Sequence, residues 1–314
     1  MKVGIKVNAP VQAISWTGIR DMAQAAEAGG LDSVWSEDHH FEPYGGPWDV
    51  WSVLAALAAV TDRVELGPIV ASTNYYPSPV ILARKAAAVH EISGGRLILG
   101  LGAGSGDFEY AKLGLPFDHP VGRFEEAFEI VRRLLAGERF DYDGRFHRLE
   151  DTWLSPVHRL GEASAEELGW LDDDWATQPV EPLDIPLMAG SLGPRMLGIV
   201  LPHVAGWNVH WGDRIFWNRP EAFPDVAERI AEHAEGAGVD PGSLWSSAEI
   251  FMEFDGARGL PVPVPDDLAA LPADVETLQR CAEAGIDHLI VLVDPQTPAA
   301  VERLADVVQG FRGA

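Results

Sequence analysis

The chain of 314 residues is 47% hydrophobic and carries 48 acids against 23 bases, a formal net charge of −25. That length suits one α/β barrel with insertions, and the charge speaks against nucleic-acid and anionic-membrane partners. The lone cysteine, Cys281, excludes an intrachain disulfide and fits a reducing cytoplasm, where a packed rather than reactive thiol is expected.

In chain order, Lys2 to Val7 reads as a strand. The chain therefore enters structure at once, no leader is expected, and the localisation read from it is cytoplasmic. Thr17 is expected to cap a helix whose residues Ile19, Met22, Ala23 and Ala26 recur at helical spacing, with Gly29-Gly30 as its stop. The second strand starts at Ser33 and ends in four ionisable residues, Glu37, Asp38, His39 and His40. Trp48 to Val60 is apolar nearly all round, so it predicts a buried helix, too short to span a bilayer. Val64 to Ala71 is the third strand. Ser78-Pro79 opens a helix running to Ile92. Leu97 to Leu101 is a fourth strand, apolar as a strand covered on both faces should be, and it opens into Gly102-Ala103-Gly104-Ser105-Gly106. A helix from Arg123 to Leu135 follows.

Strands five to eight are read at 185–189, 204–209, 247–254 and 288–293, with helices at 195–201, 221–237, 273–284 and 298–311. Alternating strands and helices with short connections predict parallel pairing. Eight strands predict a single (β/α)8 TIM barrel over residues 1–314, with an insertion at 139–184 after the fourth βα unit. Within it, Asp143-Gly144 marks a hairpin. The acidic stretch from Glu162 to Pro182 is a surface excursion or a lid over the barrel mouth. The loop Leu260 to Pro265 is either a second mouth loop or a stiff connection.

In such a barrel the C-terminal strand ends share one face. They gather Asp38, His39, Gly102, Gly104, Ser105, Gly190, Ser191, Gly193, Arg195, Asn208, His210 and Trp211. Glycines let backbone approach a planar or anionic ligand. Gly190 to Gly193 leads directly into a helix, which favours a phosphate, and Arg195 adds a charge. His39 beside Asp38 suits acid-base work or hydrogen bonding to a ligand. A zinc set of His39, His40 and Glu42 is the rival, but Asn8-Ala9-Pro10 lacks the paired histidines of a metallohydrolase barrel, and no metal is expected.

Four blocks, Leu31 to Phe41, Val64 to Gly106, Arg123 to Leu135 and Pro186 to Asn208, resemble the bacterial-luciferase-like superfamily of barrel oxidoreductases. Ile92 to Gly104 resembles its most recognisable run, and Pro186 to Leu197 its phosphate segment. The resemblance implies reduced FMN or the deazaflavin F420 at the barrel mouth, without deciding between them. It implies that His39 lies by the reactive ring, oriented or charge-balanced by Asp38. It implies that Gly190, Ser191, Gly193 and Arg195 lie near the cofactor phosphate, and that Ile69-Val70 forms a non-prolyl cis bond backing the ring. Phe41, Trp207, Asn208, His210 and Trp211 would shape the side of a small organic substrate. The family's sugar-phosphate dehydrogenases carry an acid where this chain has Ser105, so that reaction is not expected. A homodimer is expected from the resemblance, with a separate flavin reductase if the cofactor is FMN. A non-catalytic partner subunit and a metal-dependent hydrolase are the alternatives from other classes.

Overall fold

The computed structural model describes residues 1–7, 14–41, 48–104, 107–154, 181–210, 212–216, 218–255 and 270–313. Strand β1 (Lys2–Val7) is followed by helix α1 (Trp16–Ala28), whose buried face is Ile19, Met22, Ala23 and Ala26 as the periodicity predicts. Its cap is Ser15, which accepts from the Gly18 amide, and not Thr17, which already lies within the first turn. Then come β2 (Ser33–Ser36), α2 (Val50–Ala58), β3 (Glu65–Pro68), β4 (Ala71–Ser72), α3 (Pro79–Ile92) and β5 (Leu99–Gly102). Helices α4 (Asp107–Leu113) and α5 (Pro120–Leu135) precede an antiparallel hairpin of β6 (Phe140–Asp143) and β7 (Arg148–Thr152). The second half adds β8 (Leu187–Ala189), α6 (Pro194–Val200), β9 (Gly206–Val209), α7 (Phe223–Gly236), β10 (Trp245–Glu253), β11 (Leu271–Pro272), α8 (Val275–Glu283), β12 (His288–Asp294) and α9 (Pro298–Gly313).

The strands form one parallel ring in the order β3, β2, β1, β12, β10, β9, β8, β5, β4. The third predicted strand is thus two pieces, β3 and β4, on either side of a cis Ile69–Val70 peptide. The ring closes where Leu66 of β3 bridges Leu97, and where Ala71 pairs with Leu101. This is the expected eight-membered barrel, with β3 and β4 counted as one stave. The hairpin around Asp143-Gly144 is present between α5 and β8. Most of the acidic stretch (155–180) and the whole 256–269 loop lie outside the described residues. Among the described residues no helix is long and apolar enough to cross a membrane.

Alternation decides what fills the barrel. On β1 the residues Val3, Ile5 and Val7 face the helices, and Gly4 and Lys6 face inward, paired with Ser33 and Trp35 of β2. Trp35, Ile69, Ile98, Met188 and Ile290 form a separate inner core. Two inward glycines make room for the large rings. A Cβ on Gly67 would come within 2.5 Å of Trp35, and one on Gly206 within 2.2 Å of Trp245. Cys281 is buried on α8, and burial pushes its thiol up to about 12, as expected of a packed cysteine.

At the barrel floor Trp35 Nε1 donates to Ser33 Oγ, and Ser33 Oγ meets His288 Nε2, each at 2.7 Å. Burial pushes the His288 imidazole down to about 4. An unfolded histidine titrates near 6.5, so the unfolded chain binds the extra proton between pH 6.5 and pH 4. The stability of the neutral ring is complete above that window and is lost as pH falls through it, by about 3 kcal/mol. His288→Gln should therefore flatten the fall in urea-unfolding free energy between pH 7 and pH 4.5. Parallel slopes for parent and variant would show that the folded ring is already charged.

Candidate active site at the barrel mouth

The C-terminal strand ends surround a cavity of about 300 Å³. Of the residues singled out from the sequence, Asp38, His39, Ile69, Val70, Gly102 and Gly104 line it from the first half of the barrel. Gly190, Ser191, Asn208 and His210 line it from the second half. Ser72, Gly212, Asp213 and Glu249 complete the wall.

His39 follows β2 and is oriented by a residue that the sequence reading missed. Its Nδ1 lies 2.9 Å from Glu109 Oε2, on α4. Glu109 is fully buried, and it also accepts from the His40 amide and from Tyr75 Oη, each at 2.9 Å. Burial alone would raise this carboxyl, but the three donors outweigh it and hold the pKa below the usual glutamate value. Burial likewise works against a charged His39, yet the Glu109 bond and the nearby Glu37 carboxylate outweigh it, and the pKa lies above the ordinary imidazole value. The only sequence signal for this partner is an acid on the inner face of a short helix just after the glycine loop.

Asp38 does line the cavity, but it is not the partner that orients His39. Its Oδ2 accepts from the Ser72 amide at 2.8 Å, and Tyr76 Oη donates to both carboxylate oxygens at 3.0 and 3.1 Å. His40 Nε2 lies 3.4 Å from Oδ1. Consecutive residues leaving a strand point different ways, so Asp38 pins β4 to β2 while His39 reaches α4.

Beneath the cavity sits a buried ion cluster. Lys6 is wholly buried, and its Nζ lies 2.6 Å from both Glu37 Oε1 and Glu249 Oε2. Burial opposes its charge, but the two carboxylates overcome that and raise its pKa further. Glu249 Oε1 accepts from Asn208 Nδ2 at 3.0 Å. Ligand atoms of Glu37, His210 and Glu249 lie within 4.8 Å of one another, a spacing that suits a metal ion. The Lys6 ammonium already bridges both acids and occupies the place a cation would take between them.

Four of the residues singled out from the sequence, Arg195, Gly193, Trp207 and Phe41, are not among those lining the cavity. Arg195 is exposed and reaches Glu125 at 3.1 Å, away from the cavity. Gly193 is the N-cap residue of α6. The loop from Gly190 to Gly193 is instead tied by Arg229 of α7, which donates to the Leu192 carbonyl at 3.1 Å. Arg195→Ala should leave cofactor affinity unchanged within about two-fold, as expected for an exposed pair. A ten-fold loss in a fluorescence titration would return Arg195 to the site. Trp207 is buried against α7, stacked on Phe223 at 5.3 Å between ring centroids, because Asn208, its neighbour on β9, takes the inward position. Phe41 lies outside the cavity wall, with the Lys112 ammonium 5.0 Å over its ring. Ser105 and Trp211 fall outside the described residues.

Residues 1–255 match the profile of the luciferase-like monooxygenase family. A 5,10-methylenetetrahydromethanopterin reductase of Archaeoglobus fulgidus is 30% identical over 260 residues, which is 82% of this chain and 66% of the reductase. An F420-dependent glucose-6-phosphate dehydrogenase of Amycolatopsis mediterranei is 33% identical over 163 residues, 48% of this chain and 46% of that protein. The alignments thus span two-thirds or less of these two relatives. Among solved structures, the coenzyme F420 dependent tetrahydromethanopterin reductase from Methanopyrus kandleri superposes with a TM-score of 0.73 at 20% identity, covering 99% of both chains. The oxygenating constituent of a Pseudomonas putida 3,6-diketocamphane monooxygenase, in complex with FMN, gives 0.70 at 16% identity, covering 98% of both. These two likenesses support the barrel fold.

Proposed function

We propose, since this chain belongs to the luciferase-like monooxygenase family, that it is an oxidoreductase using reduced F420 or FMN on a small organic substrate. The observation that carries the reading is His39, held through Nδ1 by buried Glu109, in one cavity with Ile69, Val70, Gly102, Gly104 and Gly190. The residues present fit such a cofactor. A Cβ on Gly190 would lie 2.4 Å from Val70 Cγ1, and one on Gly102 2.8 Å from Val70 Cγ2, so bare backbone at both positions is what lets Val70 stand between them as the apolar wall of the cavity. Ile69, Val70, Gly102 and Gly104 would face the ring, and Gly190 and Ser191 its phosphate side.

When bound, the cofactor supplies or accepts a hydride, or as FMN activates dioxygen. The chain itself manages the proton. With Nδ1–H kept on Glu109, the Nε2 atom of His39 is the one that takes a proton from, or returns it to, the substrate's oxygen. Asp38, fixed by Ser72 and Tyr76, keeps that wall in place. We take the protein to act as a homodimer, and to depend on a separate flavin reductase if FMN is its cofactor.

The test is fluorescence titration of the purified chain with F420 and, separately, with FMN. Saturable micromolar binding of F420 with little for FMN supports hydride transfer as the reaction. Preference for FMN supports monooxygenation, to be followed as oxygen-dependent turnover. Binding of neither overturns the proposal and leaves a non-catalytic barrel.

A further inference from the structure

A second cavity, also of about 300 Å³, lies on the helix side of β9, toward the N-terminal ends of the strands. Ala227 and Ile230 of α7 and Leu244, which leads into β10, give it apolar walls. Trp207 and Asn208 alternate on β9, so one strand separates this cavity from the one at the mouth.

Two polar side chains line it with bonding capacity left over. Trp207 is 4% exposed, with one face of its ring on Phe223. Its indole N–H donates to no group among the described residues and is not sealed off, so a buried donor opens on this cavity without an acceptor. Asp287, at the rim, is fixed by one oxygen. Its Oδ2 accepts from the Ser246 amide at 2.8 Å and from Ser246 Oγ at 2.9 Å. Its Oδ1 accepts from no described residue and is available to a ligand's donor. The described lining residues include no lysine, arginine or histidine, so the rim is negative.

We infer that this cavity is a second ligand site, built for a small aromatic primary carboxamide. The carboxamide oxygen accepts from Trp207 Nε1–H, its NH2 donates to Asp287 Oδ1, and the ring lies between α7 and Leu244. A carboxylate would supply the acceptor but meet the Asp287 charge. An ammonium would suit that charge, yet it would leave the indole donor unpaired and lose its own hydration against apolar walls. The volume is at the lower end for small-molecule sites and holds one substituted ring. The inference goes beyond the function proposed above and does not depend on it, because none of these residues lines the mouth cavity.

The probe is 4-fluorobenzamide, titrated against the full chain and followed both by its own 19F signal and by the 15N-indole spectrum of the protein. Trp207→Phe identifies the Trp207 peak by its loss. Saturable binding is expected with a Kd of about 0.1–1 mM, in keeping with so small a ligand, and the Trp207 indole proton should move downfield as it gains an acceptor. Binding of 4-fluorobenzoate should be at least about ten-fold weaker, and Asp287→Asn should remove most of that difference. Trp207→Phe, which keeps a stacked ring, should weaken the amide about five-fold, the value of one hydrogen bond. Ala231→Leu should fill the cavity and abolish binding while circular dichroism shows a folded chain, and Ala227→Leu takes its place should that variant not fold. The inference is overturned by no saturation below about 10 mM, by a Trp207 indole signal that stays still, or by equal affinity for the benzoate. It is also overturned by a folded filling variant that binds the amide as the parent does, which would place the probe elsewhere on the chain.

Discussion

Replacing His39 by alanine is expected to lower turnover of the cofactor-loaded protein by about 10²- to 10⁴-fold, the range for loss of a positioned acid-base group. Cofactor affinity should change little, because the cavity has other walls. Glu109→Gln should have a smaller effect of a different kind. An amide still occupies the space, but it no longer balances an imidazolium, so the His39 pKa should fall. The limb of the pH–rate profile governed by that histidine should then move about one unit to lower pH. The double variant should be no worse than His39→Ala alone, since Glu109 acts through the histidine. Additive losses in the two single variants would mean that Glu109 touches the substrate itself. An unchanged pH profile in Glu109→Gln would remove it as the residue that sets the state of His39.

Lys6→Met is the substitution expected to cost most stability, about 3–5 kcal/mol, because it leaves the buried carboxylates of Glu37 and Glu249 without their counter-charge. Against a typical total of roughly 5–15 kcal/mol, that brings the chain close to unfolding at 25 °C. The loss has a sign in pH. Without the ammonium the buried Glu249 carboxyl loses the charge that holds its pKa down, and burial then raises it, so the variant should regain stability relative to the parent as pH falls from 8 to 5. A loss due only to packing would not vary with pH. Combining Lys6→Met with Glu37→Gln and Glu249→Gln should restore at least half of the deficit. Urea denaturation followed by circular dichroism measures all three. A deficit under 1 kcal/mol for Lys6→Met at pH 7 would refute the ion cluster as a stabilising unit.

The parts of this protein legible in its sequence are those set by local periodicity. Apolar runs such as Leu97 to Leu101 mark strands covered on both faces, and the helical spacing of Ile19, Met22 and Ala26 marks a buried helix face. With the barrel in hand, the strand ends collect His39, Gly102, Gly190 and Asn208 without further information. What escaped depends on where long side chains go. Arg195 sits at the right place in the chain, yet nothing local says that it turns out to Glu125. Trp207 was readable after all: Asn208 and His210 share the inward face, so Trp207 and Val209, which alternate with them, must face the helices. Glu109 was not, because its partner lies 70 positions away and its helix is only seven residues long.

The Lys6 cluster also bears on how the chain is made. Lys6 and Glu37 emerge close together, but Glu249 follows Lys6 by 243 positions. A ribosome adding roughly 5–20 residues per second needs about 12–50 s to span that interval. During this time the first three staves have no neighbour on the far side of β1, and Lys6 has one of its two acids. Burying the ammonium is favourable only once β10 arrives, so the nascent N-terminal half should stay open, with its hydrophobic edges in the care of chaperones, until the seventh stave of the ring leaves the ribosome.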